Sequence, residues 1–326
     1  MKAIKINETG GLRMYSFQNP STALIKNHTS GVNYLDVYLR EGVFPLPGIP
    51  AVLGVEGAGV VEKLGSGSDG VAVGDRVAYF HLGSGSFAEY STVPVDKLVK
   101  VPSNITFEQA ATTMIQGITA HYLVHSVYHV GLGTKVLVHA AAGGTGSLIC
   151  QVAKNAGAYV IGTTSTEEKA VKAKACGADE VILYSNQDFV QEVNRITGGA
   201  GVNVIYDGVG KTTFYKGKLC INIFCTGFNC LATRGTMVLF GGASGYPDSM
   251  ELNLVSSGSH SLVLPRLFDY IATPEDLSGR ANAVFDWITQ GKIKMDTFTV
   301  FMLSEAKKAF EMLEGKKTTG KLLLKP

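Results

Sequence analysis

The chain has 326 residues, 45 % hydrophobic and 17 % charged, and its 29 Lys and Arg against 27 Asp and Glu leave a net charge of +2. That length exceeds what one hydrophobic core usually serves, so two domains are expected, with no highly charged or proline-rich tract to leave disordered. The dispersed, nearly balanced charge argues against a nucleic-acid partner, and no apolar run is long enough to cross a bilayer; with a start, MKAIKINETGG, unlike a signal peptide, a soluble cytoplasmic protein is expected.

In chain order, KAIKI predicts a strand, followed by a glycine turn and a loosely patterned segment to Leu24. In GVNYLDVYLREGVFPLPGIPAVLGVEGAGVVEKLGSG, Pro45, Pro47 and Pro50 forbid regular structure, and a glycine-studded strand is expected over 52–61. GDRVAYF, GSFAEY and STVPVDKLVKVP supply short strands broken by turns, the signature of a small β-rich barrel or sandwich. Asn104 is expected to cap a helix over 104–111, and a second helix is expected over 117–129.

The next stretch, KVLVHAAAGGTG, changes the pattern. Val136, Leu137, Val138 and His139 form a run suited to a strand buried on both faces of a parallel sheet. Ala141, Gly143 and Gly146 then follow at the spacing of a dinucleotide fingerprint with alanine in its first place, and a helix is expected over 147–156. Strand, tight turn and helix in that order put backbone N–H groups and the positive end of a helix dipole beneath a diphosphate.

The alternation continues. A strand is expected over 159–162, a helix capped by Ser165 or Thr166 and closed by Gly177, strands over 180–184, 202–206 and 236–240, and a helix over 188–196 between the first two of these. Parallel order follows from that alternation. After SLVLP, a helix over 275–290, a strand near 298–301 and a helix over 304–313 are expected, with TTGKLLLKP returning to the first domain because the α/β sheet is by then complete.

The second strand's end bears on the choice of nicotinamide cofactor. An acid there holds the ribose 2′-hydroxyl of NAD and repels a phosphate at that position. This chain reads IGTTSTEEKA: Gly162, Thr163, Thr164 and Ser165 are uncharged, Glu167 and Glu168 suit the first turn of a helix, and Lys169 lies one turn in, able to reach back. NADPH is therefore the expected cofactor.

No metal is expected. Cys150 reads as a small buried hydrophobe; Cys220, Cys225 and Cys230 are spaced by five, about 140° apart on a helix, and no C-x-x-C occurs. His121, His125 and His129, four apart on a predicted helix, lack a Glu or Cys at matching spacing, so a partly exposed helix face is the expectation.

With these residues in view, the sequence resembles the medium-chain dehydrogenase/reductases and, within them, the zinc-independent NADPH:quinone oxidoreductases related to zeta-crystallin. The likeness runs through GVNYLDVYLREGVFP, GVEGAGVV, GDRVAY, FEQAA, HAAAGGTG, ITGGAGVNVIYDGVG, RGTMVLFG and TTGKLLL. It implies an α/β protein with a GroES-like β-rich catalytic domain over 1–117 and 263–326, a Rossmann doubly wound, six-stranded parallel-sheet cofactor domain over 118–262, a cleft between them, and a homodimer. Zinc alcohol dehydrogenases of this superfamily carry a Cys and a Gly-His-Glu where this chain has Asn33 and Val55, and the four-cysteine structural lobe is missing near Gly83 to Ala88. A quinone is already electron-poor, so positioning and a hydrogen-bond donor can replace a Lewis acid.

The resemblance further implies that Asn33, Asp36 and Tyr38 line the nicotinamide pocket as catalytic residues, Tyr38 offering its hydroxyl to the substrate oxygen and Asn33 orienting it, with Thr119 nearby. It implies Gly143, Gly144, Thr145 and Gly146 at the diphosphate, Thr164, Lys169 and Tyr184 at the adenosine phosphate, and Phe240, Gly241 and Ser244 along the nicotinamide. Three departures stand out: a shortened segment before Ile25, an extra stretch between Phe214 and Leu231, and Arg266 following Pro265 instead of preceding it. The expected activity is metal-free reduction of quinones by NADPH. The rivals are reduction of the C=C bond of α,β-unsaturated ketones or aldehydes, and an NADPH-binding protein with lost or weak catalysis.

Overall fold

A computed structural model describes residues 5–6, 21–46, 48, 50–215 and 227–326. The chain divides into two compact units, one of Met1–Ile118, Ile271–Gly291 and Met295–Pro326, the other of Thr119–Tyr270 and Lys292–Lys294. The extra stretch singled out in the sequence, with Cys220 and Cys225, falls mostly on 216–226, and the shortened segment mostly on 7–20, both outside the described residues.

The first unit opens with strands β1 (Lys5–Ile6) and β2 (Thr22–Val32), helix α1 (Tyr34–Arg40) and strands β3 (Ala51–Val52), β4 (Glu56–Leu64), β5 (Arg76–Phe80), β6 (Tyr90–Pro94) and β7 (Leu98–Lys100). Ala23, Ile25, Val61, Val77, Tyr79 and Val93 close its core. The glycines of β4 have a steric reason: a Cβ at Gly59 would stand 2.1 Å from the carbonyl oxygen of Lys26, so β2 and β4 pair here only because it is absent.

Helix α2 (Phe107–Thr112) begins later than expected. Its N-cap is Thr106, whose Oγ1 accepts from Gln109 N at 3.2 Å while Gln109 Oε1 accepts from Thr106 N at 3.0 Å. This Thr-x-x-Gln box outcompetes Asn104, whose side chain donates to Thr289 Oγ1 instead. The helical path widens to i→i+5 turns at Thr113–Gly117, continues through α3 (Ile118–Tyr122), and widens again at Leu123–Val127. It is thus one run from α2 onward, with no break before Gly117. It ends short of His129, which therefore does not share a helix face with His121 and His125.

The second unit alternates regularly: β8 (Lys135–Val138), α4 (Gly144–Asn155), β9 (Tyr159–Thr164), α5 (Glu167–Ala175), β10 (Glu180–Leu183), α6 (Phe189–Thr197), β11 (Val202–Asp207), α7 (Lys211–Phe214), β12 (Leu231–Leu239), α8 (Asn253–Ser256), β13 (Ser261–Val263) and α9 (Leu267–Tyr270). Helix α4 starts three residues before the expected 147, because the glycines themselves form its first turn. The strand order is β10-β9-β8-β11-β12-β13, with every neighbouring pair parallel. This is the Rossmann order, and it reverses between β8 and β11, where a doubly wound sheet opens its ligand crevice. Leu137, Ile161, Ile205 and Met237 bury the sheet's centre, and Val190 and Val193 of α6 pack on it.

The chain then returns to the first unit through α10 (Pro274–Thr289), β14 (Phe298–Met302), α11 (Ala306–Glu314) and β15 (Lys321–Lys325). As expected from TTGKLLLKP, β15 inserts between β14 and β2, in a sheet of order β14-β15-β2-β4-β5-β7 with β6 also paired to β2. Among the described residues no helix is long and apolar enough to cross a membrane.

Candidate active site

In the second unit the expected cofactor residues collect at the carboxyl ends of the strands. Gly143 is the N-cap of α4, no side chain caps that helix, and the N–H groups of its first turn are left for a ligand. The turn tolerates no side chain at Gly146, where a Cβ would lie 2.3 Å from the carbonyl oxygen of Ala140. Ala140 itself sits at φ +53, a left-handed conformation that bends the chain from β8 into the turn. Gly162 of β9 lies beneath: a Cβ there would meet that of Ala141 at 2.7 Å.

Thr164 and Tyr184 are drawn together by pairing, Tyr184 N donating to Thr164 O at 3.1 Å. Lys169 follows in the first turn of α5, its backbone N–H held by the Thr166 hydroxyl at 3.3 Å. At the end of β12, Phe240 covers Gly208, where a Cβ would meet its ring at 2.8 Å, and Gly241 lies against the Gly208 carbonyl. The Ser244 hydroxyl is engaged within the protein, donating to Val209 O at 2.8 Å and accepting from Thr212 N at 3.1 Å. It braces the loop after β11. Thr119 comes from a different element, buried on α3, and belongs to the same compact unit.

Two buried side chains lie at the topological switch: His139, expected only as part of the buried strand run, and Asp207, not singled out in the sequence. His139, directly after β8, is 2 % exposed; its Nδ1 lies 3.0 Å from Thr163 Oγ1, and its ring meets Phe189 edge-on. Burial pushes its pKa below the ordinary 6.5, Asp207 opposing, so the ring is neutral at pH 7. Asp207, ending β11, accepts from Val209 N (2.7 Å), Gly210 N (3.1 Å) and the Thr213 hydroxyl (2.7 Å), fixing the loop that Ser244 braces from its other side.

In the first unit, Asn33, Asp36 and Tyr38 all belong to α1 or its cap, but the structure separates them by face. Tyr38 is half-buried with its ring against Tyr34 and Phe44. Asp36 faces inward, fully buried, its Oδ2 accepting from Asn33 N at 2.8 Å. Burial drives its pKa up to about 7; the nearby Glu56 adds to this, while Asn33 N–H and Lys321 oppose it.

The Asn33 side chain is likewise turned inward. Its Oδ1 accepts from Lys321 Nζ at 2.7 Å, and its Nδ2 donates to Glu56 Oε1 at 2.9 Å and Gly31 O at 3.3 Å. Lys321 and Glu56, 1 % and 0 % exposed, form an ion pair directly against the α-carbon of Gly31. Neither stands out in the sequence, although a lone acid in LGVEGAGVV and a lone base heading KLLL carry the signal. Asn33, matched by resemblance to a zinc-ligand position, is thus bonded to an ammonium. No group of three His, Cys, Asp or Glu able to hold a metal occurs among the described residues. Arg266, the displaced arginine, is exposed and paired with Asp269 at 2.9 Å.

A β-rich unit closed by its own C-terminal strand and a six-stranded dinucleotide-type unit with an uncapped glycine turn define a two-unit nicotinamide-type dehydrogenase. Residues 19–103 match the alcohol dehydrogenase GroES-like domain and 144–263 the zinc-binding dehydrogenase domain. The chain is 38 % identical over 305 residues to quinone oxidoreductase 1 of Escherichia coli, covering 93 % of this chain and 90 % of that one. It is 36 % identical over 315 residues to 2-haloacrylate reductase of a Burkholderia species, at 94 % and 91 % coverage. The crystal structure of Escherichia coli quinone oxidoreductase complexed with NADPH superposes with a TM-score of 0.90 at 36 % identity, covering 99 % of each chain. The chain belongs to the quinone oxidoreductase family of the medium-chain dehydrogenase/reductases.

Proposed function

We propose that this protein reduces quinones with NADPH. The observation that carries the reading is the uncapped Gly143-Gly144-Thr145-Gly146 turn at the sheet's switch point, paired with a β9 that ends on the uncharged Gly162, Thr163 and Thr164 and with Lys169 in the first turn of α5, where Glu167 and Glu168 serve the helix start. The residues present fit the cofactor. Gly143, Gly144, Thr145 and Gly146 would hold the diphosphate; Thr164, Lys169 and Tyr184 the adenosine phosphate; Phe240, Gly241 and Thr119 would border the nicotinamide, with Ser244 supporting from behind. When bound, NADPH supplies the hydride.

The substrate oxygen that gains charge as the quinone is reduced needs a donor, and Tyr38, half-buried on α1, supplies it through its hydroxyl. Asn33 and Asp36 act on the same reaction from within, holding the start of that helix. A homodimer in the cytoplasm is part of this reading; the family resemblance supports the first, and five cysteines without a regular spacing framework, as expected of reduced thiols, suit the second.

Titration of NADPH and NADH tests the cofactor: at least tenfold tighter NADPH binding is expected, and a preference for NADH ends the assignment. Steady-state turnover of 1,4-benzoquinone by Tyr38→Phe tests the donor. A fall of about 10²-fold in kcat at unchanged NADPH affinity is expected, and unchanged kcat reduces Tyr38 to packing. Similarity to a 2-haloacrylate reductase favours one second reading, reduction of an activated C=C bond, which yields a similar oxyanion and needs the same donor. Turnover of 2-chloroacrylate above that of benzoquinone would select it.

A further inference from the structure

Three segments far apart in sequence meet at the N-terminus of α1: the end of β2, the start of β4 and the start of β15. Each contributes to one closed circuit. Lys321 Nζ bonds both Glu56 Oε1 and Asn33 Oδ1, Asn33 Nδ2 returns to Glu56 Oε1, and Asn33 N–H holds Asp36 Oδ2. Fitting the pair requires a glycine beside it, since a Cβ on Gly31 would stand 1.9 Å from Glu56 Oε1 and 2.6 Å from Lys321 Cε.

Stability alone does not explain such a construction. Taking an ammonium and a carboxylate out of water costs several kcal/mol each, and apolar residues of similar volume often serve as well or better. The circuit is also not balanced: two buried carboxylates face one ammonium, and Glu56 Oε2 and Asp36 Oδ1 have no hydrogen-bond partner among the described residues. A proton kept on Asp36 restores neutrality. What the circuit does provide is direction. It fixes which way the Asn33 amide points and so where α1 begins, and α1 is only seven residues long, with Tyr38 at its fifth.

We propose that Lys321 and Glu56 are positioning residues for the reduction step, holding Asn33 and through it α1 so that the Tyr38 hydroxyl stays aimed at the substrate oxygen. This rests on the reading of Tyr38 as donor given above. The pair touches neither substrate nor cofactor; it acts through Asn33.

The test is the charge-neutral double variant Glu56→Gln/Lys321→Met, which removes both charges together and leaves neither ion stranded, in wild-type and Tyr38→Phe backgrounds. The expected result is a cooperative thermal transition, NADPH affinity and benzoquinone KM within threefold of wild type, and kcat lowered at least tenfold. Tyr38→Phe should then cost less than threefold more in the pair-less background, because its hydroxyl is already misaimed. Wild-type kcat in the folded double variant overturns the proposal, as does an undiminished Tyr38→Phe effect there. A silent Tyr38→Phe in the wild type overturns the donor reading instead, so the two failures are distinct. Should the double variant lose its fold, Glu56→Gln alone decides by the same split: kcat down tenfold at unchanged KM and NADPH affinity supports the role, and unchanged kcat overturns it.

Discussion

Asp36 is a carboxylic acid whose ionisation the fold resists. It is fully buried, and dehydration raises its pKa from 3.8 to about 7, with Glu56 contributing in the same sense. Because the folded state favours the protonated acid, the stability this group provides is fully present below pH 4 and is lost as the pH climbs through about 7. The loss is on the order of a few kcal/mol, since each tenfold change in a protonation equilibrium corresponds to about 1.4 kcal/mol. The melting temperature is therefore expected to decline between pH 5 and pH 8 in the wild type and to stay nearly flat in Asp36→Asn, whose amide cannot ionise. Thermal melts across that range in both proteins check it, and parallel curves would show that Asp36 is already ionised in the folded protein. His139, neutral through its own burial, places its penalty on the acid side instead.

Among the elements, glycines show how differently one residue type is used. In α10, Gly279 is exposed and mid-helix, and a Cβ there would meet nothing within 4 Å. Gly279→Ala is expected to stabilise by about 0.5–1 kcal/mol through helix propensity alone. In a chain of this size that is a rise of about 1–4 °C in Tm. Gly146→Ala is the opposite case, because its Cβ would be driven onto the backbone of Ala140, which cannot move without opening the turn. NADPH affinity is expected to fall at least tenfold there while Gly279→Ala leaves it unchanged, as fluorescence titration would show; equal affinities in both variants would mean that the turn does not hold the cofactor. The same contrast explains what was legible in the sequence. The β/α alternation and the glycine turn could be read because local patterning and spacing dictate them. The circuit at α1 could not, because Glu56 and Lys321 are 265 residues apart and the pairing of β2 with both β4 and β15 brings them together. The start of α2 departs from expectation for a local reason: a capping box at Thr106 and Gln109 outranks a lone Asn104.

For the molecule as a whole, chain path and site assignment are interleaved. The first unit is built from both ends of the chain, β15 filling the sheet between β14 and β2, whereas the second is nearly continuous from Thr119 to Tyr270. The cofactor candidates from Gly143 to Ser244 all lie in that continuous unit, at the carboxyl ends of β8 to β12. A ligand that binds only the folded protein stabilises it by RT ln(1 + [L]/Kd), about 2.7 kcal/mol at a hundredfold excess over Kd. NADPH should therefore raise the melting temperature, and native-state hydrogen exchange should show where its effect is felt. Amides of β8, the first turn of α4, the end of β9 and the start of α5 are expected to slow most, because local opening there must first release the cofactor. Amides of β2, β4 and β5 should slow only as far as their exchange passes through global unfolding. If NADPH instead protected β2, β4 and β5 and left the α4 turn unchanged, the glycine turn would not be the diphosphate site, and the assignment of the cofactor to the second unit would fall with it.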